Sequence, residues 1–349
     1  MAQPRPKLPG GSAADKRTLP QSEKSRSCAF NRWCFDFSPH VGRIPPMMDR
    51  ESPPDAELDL LAARLEASGD YRVLRRLRAL GRSSAPTPEG TRIGLILDVE
   101  TTGTDLQRDE VIELAMVRFA YTPEGEILGV EATFEAFNEP SKPISVEITA
   151  LTGIDDAMVA GHRLDLEVVG AFVAPAVIVL AHNAAFDRRF AERLHPYFTT
   201  KAWGCTMSEP PWTEEGFEGL KLAYLAAHAG FFYDRHRALS DCFATLELLR
   251  RPLPRSGVTG LSALLAHARR PTWRIWAEDA PYERKTELKQ RGYRWNGGDN
   301  GGLRAWSAEV ADDALDTELS YLQAEIYGYP AEIRRKRLTA VDRFSDRAA

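Results

Sequence analysis

Asp98 and Glu100 stand two residues apart at the end of an apolar run, Leu95-Ile96-Leu97-Asp98-Val99-Glu100-Thr101-Thr102-Gly103. Side chains alternate along a strand, so both carboxylates would project from one face, beside a tight turn. Two ionised carboxylates on one apolar strand repel each other and are costly to bury, which calls for a compensating cation. An all-oxygen donor set selects Mg²⁺ or Mn²⁺. The alternative is a solvent-facing edge strand on which both charges are simply hydrated.

Two more carboxylates follow. Val177 to Ala181 is a short apolar run with the character of a buried strand, and His182-Asn183-Ala184-Ala185-Phe186-Asp187 then opens an amphipathic stretch to Leu194. Asp187 falls in a first helical turn, able to face the end of the first strand, where the helix N-terminus favours its ionised form. Further on, His236-Arg237-Ala238-Leu239-Ser240-Asp241 runs into Cys242-Phe243-Ala244-Thr245-Leu246. Asp241 is placed near the start of a helix and His236 on a loop before it, because a five-residue spacing in one helix would set the two on different faces.

The ordered set D-x-E-T-T-G, H-N-x-x-F-D and H-x-x-x-x-D resembles the DEDDh exonucleases, a family that includes the proofreading epsilon subunit of bacterial replicative DNA polymerase, oligoribonuclease and ribonuclease T. Leu151-Thr152-Gly153-Ile154, after Ile148, matches a further recurrent family segment. The resemblance covers roughly Thr91 to Arg251, under half the chain. It implies a ribonuclease-H-like α/β fold, a mixed sheet with flanking helices. It also implies two divalent ions per site: Asp98 bridging them, Glu100 and Asp241 completing one position, Asp187 holding the other. Two such ions stabilise both the attacking and the leaving oxygen of a phosphodiester displacement. His236 becomes the general base toward water, a task suited to an imidazole that titrates near neutrality. Thr101, Thr102 and Asn183 become substrate contacts, although Asn183 is equally suited to capping a helix. Phe186 reads as core, and His182 as a residue that orients the segment it precedes. One departure is Trp203-Gly204-Cys205-Thr206, where relatives often carry Asp-Thr.

The expected activity is 3′-to-5′ hydrolysis of single-stranded 3′ ends of DNA, releasing nucleoside 5′-monophosphates. A 3′-to-5′ exoribonuclease is the alternative, and an inactive nucleic-acid-binding or polymerase-accessory module is the reading from another class. A DNA polymerase or a repair protein is the candidate partner. With no clamp-binding or polymerase-docking tail legible, a stand-alone repair or end-trimming enzyme fits as readily as a subunit.

These residues need elements to position them. Strands are expected at about Ile93 to Val99, Val111 to Tyr121 and Ile127 to Phe137, giving an exonuclease domain over 91–252. Before it, 1–54 reads as a disordered extension rich in Pro, Ser, Gly and charge. Met47 and Met48 mark a candidate translation start at its end. Leu58, Leu61 and Leu65, then Gly69, then Tyr71, Leu74 and Leu77, suggest a helical hairpin over 55–82, with 83–90 as linker. Arg72, Arg75, Arg76 and Arg78 on it could meet nucleic acid or simply be solvated.

After the nuclease helix, 270–330 reads as a small aromatic-rich α+β domain of strand, short helix, strand, turn and strand, closed by a helix from about Ala314 to Tyr327. Trp273 and Trp295 are expected in its core, with Tyr293 and Arg294 left open between core and base stacking. Residues 331–349, with Arg334-Arg335-Lys336-Arg337, read as a basic tail.

Charge separates these regions. Residues 92–250 hold 13 Lys and Arg against 25 Asp and Glu, a balance of −12, whereas the remainder holds 32 against 25. An acidic core is a poor clamp for duplex DNA, whose nonspecific binding depends on phosphate neutralisation, and suits metals and short single-stranded ends. The four cysteines lack metal-ligand spacing and read as reduced thiols. The longest apolar run, Ala171 to Ala181 with Pro175 inside it, is far short of the roughly 20 residues a bilayer requires, so no membrane partner and a cytoplasmic location are expected.

Overall fold

Strand register in this chain follows from where its apolar side chains alternate. The computed structural model describes residues 56–81, 88–298 and 302–348. The expected extension 1–54 therefore lies outside the described residues, as does most of the expected linker. The elements run α1 (Ala56–Ala67), β1 (Arg75–Arg76), β2 (Arg92–Thr101), β3 (Val111–Tyr121), β4 (Ile127–Phe137), α2 (Val146–Thr152), α3 (Asp156–Val159), α4 (Leu166–Val173) and β5 (Ile178–Ala181). They continue with α5 (Ala184–Leu194), α6 (Tyr197–Thr200), β6 (Ala202–Cys205), α7 (Leu222–His228), β7 (Phe231–Phe232), α8 (Ala238–Arg250) and α9 (Gly260–Ala268). The C-terminal region adds β8 (Thr272–Ala277), α10 (Lys285–Gln290), β9 (Arg294–Asn296), β10 (Ala305–Ala311), α11 (Leu315–Tyr321) and β11 (Arg334–Leu338).

The central sheet has the order β4-β3-β2-β5-β6. β2, β3 and β4 are antiparallel neighbours, while β5 and β6 join in parallel. The three expected N-terminal strands are thus present, in the mixed α/β, ribonuclease-H-like architecture. Alternation gives β2 two buried faces. Leu95, Leu97 and Val99 pack with Val169, Phe172 and Phe190 of α4 and α5, whereas Ile96 packs with Leu239, Cys242, Phe243 and Leu246 of α8. Asp98 and Glu100 share the parity of Ile96 and therefore face α8. Gly94 is required on that face, because a Cβ there would meet the Phe119 ring at 2.4 Å.

One N-terminal expectation needs correction, the helical hairpin over 55–82. α1 ends where Gly69 takes φ +80°, but no second helix follows it. Residues 71–80 run extended instead, with Arg75 and Arg76 in a parallel pair with Phe231 and Phe232. Leu77 N–H donates to the Phe232 carbonyl at 2.8 Å, and Leu77, Ala79 and Leu80 pack on the α8 side of the core. Pairing with an exposed strand end and burial of those apolar groups outweigh the helical spacing of Tyr71, Leu74 and Leu77.

The C-terminal sheet is ordered β11-β8-β10-β9, with α11 running on into a wider helical turn at Leu322–Tyr327. Ile275, Ala277, Leu288, Tyr293, Trp306, Leu322 and Ile326 form its core. Tyr293 is buried there and donates to Glu318 at 3.0 Å. Trp295, expected in the core, is half exposed on the edge strand β9, and Trp273 is only partly buried. Trp306, its ladder partner on β10, is the buried member of the pair, with the two rings 5.6 Å apart.

The basic run is not a tail. Arg334 to Leu338 form β11, paired antiparallel to β8, and the residues after it dock on the exonuclease region. The Trp203 N–H of the edge strand β6 donates to the Ala340 carbonyl at 2.7 Å. Wholly buried Arg188 of α5 donates to Val341 and Arg343 carbonyls and to Glu192 at 2.8 Å. Buried Arg343 pairs with buried Glu209 at 2.9 Å. No helix among the described residues is long and apolar enough to cross a membrane.

Candidate active site

Asp98, Glu100 and Asp241 each offer a carboxylate oxygen within 4.8 Å of the other two. Octahedral Mg²⁺ with bonds of about 2.1 Å keeps its own ligand oxygens within about 4.2 Å of one another, so small side-chain adjustments would let these donors share one cation. α8 brings Asp241 over the β2 face, with Cys242 buried against the Ile96 and Ala115 carbonyls. Asp187 reaches the same place from α5, and its Oδ1 accepts the Val99 N–H at 3.3 Å.

Burial without a counter-charge dominates the electrostatics. Desolvation, then Asp187 and Asp241, hold the Asp98 carboxyl well above its usual range. Desolvation pushes Glu100 to about 8, with Asp241 and Glu113 adding repulsion. Asp241 rises to about 6, again through burial, although Tyr233 Oη and the Arg237 N–H donate to it at 2.9 and 3.2 Å. Asp187 rises to about 8. Its hydrogen bonds from backbone N–H groups favour the charged form, as the helix N-terminus was expected to do, but desolvation exceeds them. Four carboxyls that resist ionisation together form a donor set suited to divalent cations, which replace the missing positive charge.

His236 lies in the loop before α8 with φ +60°, a left-handed conformation uncommon for a side-chain-bearing residue. Burial and Arg235 lower its pKa, favouring the neutral imidazole. The loop is held from behind, since Arg76 bonds Asp234 at 2.9 and 3.1 Å and stacks over Phe232.

The expected substrate contacts have internal partners. Thr101 Oγ1 donates to the Gly103 carbonyl at 2.6 Å, and Thr102 Oγ1 bonds Asp109 at 3.0 Å while accepting the Glu110 N–H. A Cβ at Gly103 would lie 2.5 Å from Asp109, so the close approach that this glycine permits is to the protein's own turn. Asn183 takes the N-cap position of α5 with φ +81°, but its exposed side chain makes no capping bond. His182 bridges Thr206 at 3.0 Å and the Leu220 carbonyl at 2.9 Å. Burial lowers its pKa to about 4, so it serves as a neutral strut. His267, with no partner legible in sequence, meets Glu209 at 3.1 Å.

Sequence reasoning missed Glu113, Tyr233 and Arg237. Glu113 pairs across the ladder with Glu100, is fully buried, and accepts from Arg237 and from the Ala238 N–H. An acidic residue inside the apolar run Val111-Ile112-Glu113-Leu114-Ala115-Met116-Val117 was the available signal.

Comparison with known proteins agrees with this arrangement. Residues 95–195 match the family described as Exonuclease. The DNA polymerase III PolC-type protein of Caldanaerobacter subterraneus is 31% identical over 176 residues, covering 49% of this chain and 12% of that protein. A DNA polymerase III subunit epsilon-like protein of Rhodobacter capsulatus is 31% identical over 204 residues, covering 53% and 28%. The chain thus spans only about an eighth of the PolC-type relative. Among solved structures, exonuclease X in complex with 5′ overhanging duplex DNA shares 25% identity at TM-score 0.35, covering 49% of this chain and 88% of that one. The zinc-bound exonuclease I–ssDNA complex of E. coli shares 15% at TM-score 0.45, with 63% of each chain covered. Asp98, Glu100 and Asp187 lie within the matched family segment, and the fold brings Asp241 to them from beyond it, its carboxyl bonded by the His236 backbone. The chain therefore carries a domain of the exonuclease family over residues 95–195, related to PolC-type and epsilon-like proteins of DNA polymerase III.

Proposed function

We propose that the protein is a divalent-metal-dependent 3′-to-5′ exonuclease that removes nucleoside 5′-monophosphates from DNA 3′ ends. The convergence of Asp98, Glu100, Asp187 and Asp241 beside a neutral histidine carries this reading. Kinship with DNA polymerase III proteins favours DNA as substrate and a replication or repair partner.

Asp98, Glu100 and Asp241 would hold one Mg²⁺ or Mn²⁺, and Asp187 with Asp98 a second. When bound, such ions neutralise the developing phosphate charge and lower the pKa of water. Tyr233 and the Arg237 backbone fix the Asp241 rotamer, and Glu113 fixes the start of the helix that presents it. His236 accepts a proton from the attacking water at its free ring nitrogen. Its lowered pKa keeps that nitrogen unprotonated at neutral pH, and Arg235 discourages protonation. Thr101, Thr102 and Gly103 shape the turn beside the terminal nucleotide, and Asn183 offers an exposed amide at the mouth of the site.

Matched single-stranded DNA and RNA oligonucleotides, labelled at the 5′ or 3′ end, test this reading with Mg²⁺, Mn²⁺ or EDTA. A metal-dependent ladder of shortened 5′-labelled products, lost in Asp98→Ala and His236→Ala, is expected, with DNA cut faster than RNA. Cleavage that persists in EDTA, or early release of mononucleotide from 5′-labelled strands, would refute it.

A further inference from the structure

The C-terminal sheet turns one face away from its helices. Cross-strand partners share a face, so the pairs Arg274 with Glu309, Trp276 with Ser307, Ser307 with Arg294, and Lys336 with Arg274 all lie on the side opposite Ile275 and Ala277. A cleft of about 590 Å³ opens on this side, lined by Arg274, Trp276, Arg294, Trp295, Asn296 and Ser307 among others. That volume accommodates one or two nucleotides, not a duplex.

Its charge is one-sided. Arg274, Arg294, Arg334 and Lys336 face Glu309 and Glu278 as the acids of that side. Arg334 is taken by Glu278 at 2.6 Å, and Arg274 lies 3.7 Å from Glu309. Lys336 bonds the Arg347 carbonyl and lies close enough to Asp342 to help hold that carboxyl below its usual range, but its side chain remains exposed. Arg294 is exposed. Aromatic groups accompany the cations: Trp276, largely buried, lines the floor of the cleft, and Trp295 reaches its rim from the edge strand, its ring packed on Trp306 on the other side of the sheet.

We propose that this cleft holds a single-stranded polynucleotide, with phosphates on Arg294 and Lys336 and a base against the exposed edge of the Trp276 indole. Cationic grooves combined with aromatic platforms bind single strands with little sequence preference. The proposal deepens the nuclease reading, because a site region of charge −12 cannot itself grip a polyanion and the upstream strand needs holding elsewhere.

The test is fluorescence anisotropy of 5′-fluorescein oligothymidylates of 4, 8 and 16 nucleotides with the full chain in EDTA, where hydrolysis does not intervene. Arg294→Glu combined with Lys336→Glu is compared with Arg335→Glu combined with Arg337→Glu, which makes the same charge change on the opposite side of β11. All four side chains are exposed, and circular dichroism checks folding. The cleft pair is expected to weaken binding of the 16-mer at least tenfold. It should also reduce the log–log salt slope by about 1.4, roughly 0.7 per lost phosphate contact. The opposite pair should change affinity no more than twofold. Hydrolysis of a p-nitrophenyl ester of thymidine 5′-monophosphate, which needs only the carboxylate site, should stay within twofold in both. Unchanged affinity in the cleft pair, equal loss in both pairs, or tighter binding of duplex than of single strand would overturn the proposal. Failure of wild type to hydrolyse the ester would count against the nuclease reading alone, since binding is measured without turnover.

Discussion

Glu113 grips Arg237 from inside the sheet, its Oε1 accepting from Arg237 at 2.9 and 3.2 Å while its Oε2 takes the Ala238 N–H at 3.0 Å. The buried carboxylate thereby anchors the first turn of α8, one turn before Asp241. Glu113→Ala should destabilise the protein by about 2 kcal/mol, the scale of lost hydrogen bonds to a charged group, because Arg237 is partly exposed and keeps Glu135 as a partner. Chemical denaturation measures this. Glu113→Gln keeps the shape and should fold, with kcat reduced and apparent metal affinity weakened; unaltered metal affinity in that variant would remove Glu113 from the positioning of Asp241.

His236→Ala should lower kcat by about 10²- to 10⁴-fold, the range for loss of a general base, with little change in stability. Glycine tolerates φ +60° better than histidine, so His236→Gly should be at least as stable as wild type and equally inactive. Activity in either variant within tenfold of wild type would assign proton removal to another group.

The pH profile follows from the same imidazole. A general base must be unprotonated, so activity should rise through the His236 pKa and level off above it, with a midpoint below 6.5. Arg235→Gln removes one cause of the lowering and should move this acid limb upward. Stopped assays of kcat against pH at saturating metal would show the displacement.

Stability without metal should fall as pH rises. Glu100 and Asp187 titrate near 8 in the folded protein but near 4 when unfolded. Between those values the folded form retains protons that the unfolded form has lost, so stability present below pH 4 is lost progressively towards pH 8. Mg²⁺ or Mn²⁺ at 100 times its Kd should restore about 2.7 kcal/mol, and at a fixed metal concentration the gain should be larger at pH 8 than at pH 6. Thermal denaturation in EDTA and in Mn²⁺ across this range is the measurement, and Asp98→Asn should flatten the EDTA curve.

Arg343→Ala would leave Glu209 buried, with the Cys205 N–H and His267 as its remaining partners. A loss of about 3 kcal/mol is expected, though the residue lies in a segment that reads in sequence as a tail. A denaturation midpoint equal to that of wild type would show that the docked segment adds nothing to stability.

The four clustered carboxyls were conspicuous in the sequence because each lies at one end of a strongly apolar or periodic segment, Asp98 and Glu100 at the end of a strand, Asp187 and Asp241 in the first turn of a helix. The three long strands were legible for a related reason: burial on both faces makes β2 and β3 near-continuous apolar runs. Residues 71–80 were misread because Tyr71, Leu74 and Leu77 satisfy a helical spacing, while the partner that makes them extended, Phe231-Phe232, lies far away in sequence. Trp295 was misread because size alone does not say which of several tryptophans a small core can hold. The docking of Val341 and Arg343 on Arg188 depends on contacts over more than 150 residues, and nothing local in a run of arginines reveals it.

Closure of the β6 edge by Ala340 also bears on how freely this exonuclease-like domain could be exchanged between proteins. A fragment cut at the end of α8 would expose the Trp203 N–H and strip buried Arg188 of two carbonyl acceptors. It would present an open strand edge, the feature that templates aggregation. The exonuclease-like region is thus not a cassette: its last strand is finished by residues encoded nearly 140 positions later, and any transplant must carry both.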